Sequence, residues 1–318
     1  MKRLTFLVLT DHSGHSDQNS LYALVNTLFA DHRCARVDLA SRGNPHNEAF
    51  FAGDGARVRG FTVNETVHFD PEAKHFNTAD TLPELTAYDV VWLRLPHPIP
   101  EDFFPKLRAL VSGSQTLIVN DPSGIEATST KAFLTQFPDW TPPTRIVETE
   151  REARDFARRH PIVLKPLRAY GGQGILRMNH PEESLSVFEG PYLAMKFLKN
   201  VSQGDKRILV VNGKILAASL RIPPPGEWLC NVARGGTSVG AEVSPEEEDM
   251  VTALAPELLS RGICFAGIDT LVNDGGQRVL SEINTLSIGG FPQAEVQTGR
   301  PILRQAIDEL LNYCYDRR

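Results

Sequence analysis

The sequence predicts an α/β plus α+β architecture, with a parallel α/β domain at the N-terminus followed by an antiparallel, hairpin-rich region. Three observations predict it. Residues 4–40 read as buried strand, helix and strand ("LTFLVLT", "SLYALVNTLFA", "ARVDLA"), the opening of a parallel layer. Asn212-Gly213 stands between the apolar runs "DKRILVV" and "KILAASLRI", which is the strongest short hairpin signal. A second hairpin pattern, "FAGIDTLVN-DGGQ-RVLSEIN", occupies residues 265–284. At 318 residues the chain can build more than one core.

Between these landmarks the elements follow in order. Residues 10–19 form a loop at the carboxyl end of the first strand. Residues 41–86 are rich in Gly, Asn, Pro and His without a sustained period. A structureless loop of that length is uncommon, so this excursion is expected to hold short strands such as "GFTVNETVHF" at 60–69. "YDVVWLRL", "EDFFPKLRALV" and "QTLIVN" resume strand, helix and strand, closing a first domain at 1–121. Residues 125–137 then read as one helix, 144–148 as a strand, 150–160 as a charged surface helix, and 161–167 as a buried strand. With strands at 174–178 and 191–198, a central unit spans 122–200 and a third spans 201–318.

Composition excludes several classes. A net charge of -6 shows no basic excess, so neither a nucleic-acid footprint nor an anionic membrane surface is expected. The four cysteines form no CxxC pair, which argues against a zinc ribbon or a disulfide framework and for a reduced, cytoplasmic protein. The opening apolar run is too short for a signal segment, and no run approaches a membrane span. His12 and His15, in the loop after the first strand, read as surface or core residues, and no transition-metal site is expected.

The segment "KPLRAYGGQG" at 165–174 joins two strands. Its glycines allow sharp turning and close approach to an anion, yet it lacks the Gly-Lys-Ser/Thr of a helix-opening phosphate loop. Alone, it reads as a hairpin turn or as a phosphate cradle. In "VLSEIN" a period of two puts Leu280, Glu282 and Asn284 on one face, with Asp269 near Glu282 on the partner strand. Two carboxylates and an amide oxygen suit Mg²⁺.

Arg207 and Arg221 stand near the open ends of the first hairpin, where they could hold carboxylate or phosphate oxygens bidentately. A strict two-residue turn pairs 207 with 218 and 204 with 221, so regular alternation separates the two side chains. A bulge or frayed strand ends are needed to bring both to one site. The Pro- and Gly-rich stretch 223–240 reads as a lid carrying Asn231 and Arg234.

The order of these parts resembles the ATP-grasp superfamily, and within it the bacterial glutathione synthetase family. The matching stretches are "VLKPLRAYGGQG", "GDKRILVVNGKILAASLRIP", "NVARGG", "GIDTL" and "LSEIN". The resemblance implies an ATP-grasp fold, with a preATP-grasp domain in front and ATP held between two antiparallel sheets. By position it implies that Lys131 and Lys165 hold phosphates beneath a loop containing Gly171, Gly172 and Gly174. Met195, Lys196, Phe197 and Leu198 would present backbone to adenine, Leu280 would lie on the adenine face, and Asp205 would face the ribose. Asp269, Glu282 and Asn284 would hold Mg²⁺, with Mn²⁺ as an alternative ion. Arg207, Arg221 and Asn231 would be catalytic, and Arg94, Arg234, Ser287, Gly289 and Gly290 would bind substrate.

The implied reaction activates a carboxylate as an acylphosphate and joins it to an amine, here γ-glutamylcysteine and glycine. Departures from the family pattern matter for the substrate: Arg94-Leu-Pro-His-Pro in place of an Arg-Lys-Asp-Pro-Pro segment, Leu229 in the lid, and Thr285-Leu-Ser-Ile-Gly-Gly after the metal strand, while Met195-Lys196 in the adenine strand is a change that backbone contacts tolerate. Another amino acid or dipeptide pair is therefore the nearest alternative. A non-catalytic nucleotide binder and a small-molecule kinase are the readings from other classes. The expected partners are the carboxylate and amine substrates, and self-association is left open.

Overall fold

Strand β1 (Leu4–Thr10) is buried along almost its whole length because it lies between two parallel neighbours. The computed structural model describes residues 2–169, 172–183, 185, 188–224 and 237–318. Around β1 the chain builds a six-stranded sheet from β2 (Cys34–Ser41), β3 (Arg59–Thr62), β4 (Asp80–Thr81), β5 (Val90–Arg94) and β6 (Leu117–Val119), in the order β4-β3-β2-β1-β5-β6. Helix α1 (Ser20–Phe29), capped by the Asn19 side chain, covers one face. Connections from β1 leave toward β2 on one side while β5 lies on the other, so the carboxyl ends of β1 and β5 border the crevice where open α/β sheets bind ligands.

The excursion after β2 holds two helical turns, α2 (Glu48–Phe51) and α3 (Lys74–Asn77), besides β3 and β4. Of the expected strand at 60–69, only its first residues pair, as part of β3. Helix α4 (Phe103–Val111) precedes β6. The single helix expected over 125–137 is instead two pieces: α5 (Pro122–Thr128), capped by Asp121, and a 3-10 helix Lys131–Gln136, capped by Thr130. The run Thr128-Ser129-Thr130 explains the break, since hydroxyl side chains compete for backbone groups and favour caps over helix interiors.

Two antiparallel sheets follow. The first contains β7 (Thr144–Val147), β8 (Ile162–Pro166), β9 (Leu176–Met178) and β10 (Tyr192–Lys196), in the order β7-β10-β8-β9, backed by α6 (Glu150–Ala157). The second has the order β13-β12-β11-β14-β15, from β11 (Asp205–Val211), β12 (Lys214–Ile222), β13 (Thr237–Ala241), β14 (Phe265–Val272) and β15 (Arg278–Asn284). Strand β13 is a correction: residues 237–240, read as the end of a lid, pair as an edge strand with β12. Residues 225–236, including Asn231 and Arg234, lie outside the described residues, as does Gly171.

Asn212 and Gly213 both take positive φ, 51° and 74°, and Val211 pairs with Lys214, as the two-residue turn demands. Helix α7 (Pro245–Ser260) packs against the second antiparallel sheet. The chain then returns through α8 (Phe291–Thr298) and α9 (Ile302–Asp316), whose apolar faces share one core with β1, β2 and α1.

One buried side chain fastens the six-stranded sheet to the second antiparallel sheet. The Asn120 Nδ2 donates to the carbonyls of Phe265 (2.7 Å) and Thr285 (2.6 Å), and its Oδ1 accepts from the N–H groups of Cys264 (2.7 Å) and Phe265 (2.9 Å). Alanine at position 120 would leave four buried backbone groups without their partners. The expected loss is about 3 kcal/mol or more, read as a lowered urea midpoint at unchanged slope. A loss below about 1 kcal/mol would show that those groups find other partners.

Candidate active site

Two irregularities of register assemble the polar centre of the molecule. In the β11–β12 hairpin the pairing slips between Leu209 and Val210, so that Arg207 lies opposite Ser219 and Asp205 opposite Arg221. The slip is the bulge that the two arginines need, and it brings both to one face. In the β14–β15 hairpin a second slip, next to Asp269, sets Glu282 directly across from Asp269.

Asp269 lies at the focus. Arg207 holds it bidentately, Nε to Oδ1 at 2.7 Å and a terminal nitrogen to Oδ2 at 2.6 Å. Arg221 reaches Oδ2 at 2.9 Å and donates to Asp205 at 2.5 Å, while the Asn284 amide donates to Asp269 Oδ2 at 3.2 Å. Burial opposes charge on Asp269, but the two guanidinium groups override it and hold its pKa below the usual carboxylate range. Asp205 is displaced the other way: burial first, then the neighbouring Asp269 carboxylate, push it up to about 7 against the pull of Arg221 and Arg207.

Lysines from the other side of the seam complete the centre. Lys131, at the start of its 3-10 helix, lies 3.4 Å from Glu282 Oε1 and also donates to the Ala169 carbonyl. Lys165, on β8, donates to the Ser281 carbonyl of β15 at 3.2 Å. Burial lowers its pKa, with Glu282 pulling back toward the charged form. Cations from one antiparallel sheet and its approach thus face carboxylates of the other. A recess with about 20 Å³ of free space opens here, lined by His97, Thr128, Thr130, Lys131, Glu282 and Asn284 among others. That is room for one water-sized group.

The oxygen donors fit a hard divalent cation. Among the described residues no three His, Cys, Asp or Glu side chains cluster as a ligand set. The donors of Asp269, Glu282 and Asn284 are therefore two carboxylates and an amide, the small protein share that Mg²⁺ accepts. The Glu282 side chain keeps 32% of its surface exposed. Asp269 Oδ2 already accepts from Arg207, Arg221 and Asn284, whereas Oδ1 accepts from Arg207 alone and keeps a further lone-pair direction.

The sequence matches the model of the prokaryotic glutathione synthetase ATP-grasp domain over residues 130–299. It is 30% identical over 288 residues to a glutathione synthetase from Rhodopseudomonas palustris, covering 86% of this chain and 90% of that one. The chain belongs to the prokaryotic glutathione synthetase family. In three dimensions it resembles the D-cycloserine synthetase DcsG (TM-score 0.66, 11% identity, 98% of this chain and 99% of that one). It also resembles the ATP-grasp ligase PsnB complexed with a precursor variant, Mg and ADP (TM-score 0.57, 15% identity, 98% and 99%). At such identities these likenesses show the fold, which is the ATP-grasp fold.

Within this family member, several expected residues sit differently from their expected roles. Asp205 is not open toward a ribose but paired with Arg221. Leu280 is completely buried, and its N–H donates to the Trp140 carbonyl, so a base could meet it only if that packing opened. In the Met195–Leu198 stretch, the strand ends at Lys196, and the N–H groups of Lys196 and Phe197 already donate to the carbonyls of Pro143 and Pro161. Met195 and Leu198 are buried, Lys196 pairs with Asp274 at 2.8 Å, and the Phe197 ring carries the Arg177 guanidinium.

Gly172 and Gly174 take positive φ, 74° and 66°, and a side chain at 174 would meet Pro166 at 3.0 Å. Arg94 is buried and donates to the Ile288 carbonyl at 2.6 Å, while Ser287 donates to the Arg94 carbonyl at 3.2 Å. Burial lowers the Arg94 pKa to about 10. Gly290 caps α8 at φ 99° and donates to the Ser20 hydroxyl, and Gly289 lies beside the same hydroxyl. Arg94, Ser287, Gly289 and Gly290 are thus gathered where β5 meets the segment entering α8, whose Ile288 lies with Arg207 against Gly267.

Sequence reasoning passed over His97, although it stands in the Arg94-Leu-Pro-His-Pro departure from the family pattern. It also passed over Thr128 and Thr130. Their only signal was closeness in sequence to Lys131.

Asp205 carries a pH signature. Its folded pKa of about 7 lies above the ordinary 3.8, so between those values the folded state binds more protons than the unfolded state. The stability contributed by the neutral carboxyl is then full below the lower value and is lost as pH rises through the upper one. His15 and His97, kept neutral by burial down to about 4, pull the other way between there and 6.5. The informative quantity is therefore a difference. The melting temperature of Asp205→Asn minus that of the wild type should rise from about pH 5 to about pH 8 in metal-free protein. A flat difference would mean that Asp205 titrates as an ordinary aspartate.

Proposed function

We propose that the chain is an ATP- and Mg²⁺-dependent carboxylate–amine ligase that joins γ-glutamylcysteine to glycine. The observation that carries this reading is the interleaved charge at the seam between the two antiparallel sheets. Lys131 and Lys165 come from one side, Lys131 facing Glu282, and on the other Arg207 and Arg221 share Asp269, to which Asn284 also donates. Phosphoryl transfer needs this kind of positioning and charge stabilisation more than it needs a protein nucleophile.

In the first step a substrate carboxylate oxygen attacks the γ-phosphorus of ATP, ADP leaves, and an acylphosphate forms. In the second, the amine attacks the acyl carbon, the C–N bond forms, phosphate departs and the amine gives up a proton. Mg²⁺, held by Asp269, Glu282 and Asn284, would neutralise phosphate oxygens. Lys131 and Lys165 would hold the triphosphate beneath the glycine loop. Arg207 and Arg221, already oriented by Asp269, would face charge building on the transferring group and on the later oxyanion with little reorganisation. Water exclusion would fall to the 225–236 stretch, which contains Asn231 and Arg234.

A second substrate pair, another amino acid or dipeptide, draws support from His97, which lines the recess in a segment where the family pattern differs. Incubation with ATP, Mg²⁺ and γ-glutamylcysteine, with and without glycine, separates the readings through ADP release and product mass. Glycine-dependent ADP with a glutathione mass is expected. ADP release with other pairs alone would keep the ligase and discard glutathione, whereas a phosphorylated end product would indicate a kinase. Glu282→Gln is expected to lower turnover by about a hundredfold or more with the fold intact; unchanged turnover would remove this metal site. Arg221→Lys should lower kcat more than it weakens ATP, and equal losses would demote Arg221 to a binding residue.

A further inference from the structure

The Asp269 centre is built from the two antiparallel sheets and the Lys131 segment, but its recess has one wall from elsewhere. His97 follows β5 of the six-stranded sheet and lines the recess together with Lys131, Glu282 and Asn284. Its backbone is held on both sides. Arg42, at the end of β2, donates to the carbonyls of Pro96 (3.2 Å) and Pro98 (2.6 Å). Arg42 is itself fixed by Asp11, Nε to Oδ2 at 2.7 Å, at the end of β1. The carboxyl ends of three parallel strands thus converge to present one imidazole to the site where phosphate-directed lysines and oxygen donors meet.

We propose that His97 touches the carboxylate substrate, its imidazole hydrogen-bonding the carboxylate that is to be phosphorylated. The inference rests on the ligase reading above. Three physical points support it. The other charged and amide groups of the recess belong to the surroundings expected for the nucleotide, whereas His97 enters from the sheet whose strand ends border the ligand crevice. Free space in the recess is small, room for one water-sized group such as a single carboxylate oxygen rather than a side chain. Finally, burial, reinforced by the positive charges of Arg42 and Lys131, holds the imidazole neutral. A neutral ring offers one donor and one acceptor. It can orient an attacking oxygen without the full ion pair that would draw away its electron density.

The test compares wild type, His97→Ala and His97→Asn in the full chain, by ADP release with the carboxylate varied at saturating ATP and the reverse. His97→Ala should raise KM for the carboxylate by about five- to tenfold, with KM for ATP unchanged. His97→Asn, which keeps an N–H donor, should recover most of that loss. An unchanged carboxylate KM, an equal rise in both KM values, or a loss in Ala that Asn does not recover would overturn the proposal. Melting curves of both variants guard against a folding defect, since a merely structural role would move ATP and carboxylate together. If γ-glutamylcysteine supports no turnover but another carboxylate does, the glutathione reading fails and the same comparison on that carboxylate decides His97. If no carboxylate drives ADP release, both readings fall.

Discussion

A carboxylate as buried as Asp269 persists as an anion because two guanidinium groups face it. Removing such a group from water is expensive, and the cost is offset only where geometry is good and further hydrogen bonds satisfy the remaining oxygens. Arg207 supplies the bidentate contact, Arg221 the second cation and Asn284 an amide donor. This requirement dictates the two register slips. Without the one in β11–β12, Arg221 would point away from Arg207, and without the one in β14–β15, Glu282 would not face Asp269. Burial first, and the neighbouring Asp269 carboxylate second, push Asp205 the other way, so that it holds its proton up to about 7.

The site also depends on how three sheets meet. Asn120 ties the end of the six-stranded sheet to β14 and to the turn after β15. Arg94 reaches the Ile288 carbonyl in the same turn, and Ser287 answers by bonding the Arg94 carbonyl. The strand β15 and the recess wall bearing His97 are therefore parts of one braced junction. On the other side, Lys131 and Lys165 span from the four-stranded sheet and its approach to β15 through single contacts.

Belonging to the prokaryotic glutathione synthetase family places this chain among ligases, and its departures from the family pattern fall in the segment after Arg94, at Met195-Lys196, at Leu229 and after Asn284. Leu95 and Pro96 stand where the family segment carries a charged pair, and His97 follows them at the recess. In the loop after β1, His12 bonds Ser41 (2.7 Å), and His15 bridges Thr10 (3.1 Å) and Tyr22 (2.9 Å). Both are structural partners of the strand-end loops, in keeping with the core or surface role read from sequence.

The primary structure by itself determined most element types, the Asn212-Gly213 turn and the family, because these follow from local periodicity, positive-φ residues and motif order. Lys165, Asp269, Glu282 and Asn284 were legible for that reason, and so was the need for a bulge if Arg207 and Arg221 were to meet. Tertiary structure alone decided where the bulges fall, since strand register is set by cross-strand pairing and burial rather than by neighbours in sequence. It also decided that the Thr128–Thr130 run breaks a helix to present Lys131, and that Asp205 pairs with Arg221 instead of standing open. His97 was invisible for the same reason: a histidine between two prolines says nothing until Arg42 and Asp11, both more than fifty residues away, hold it against Lys131 and Glu282.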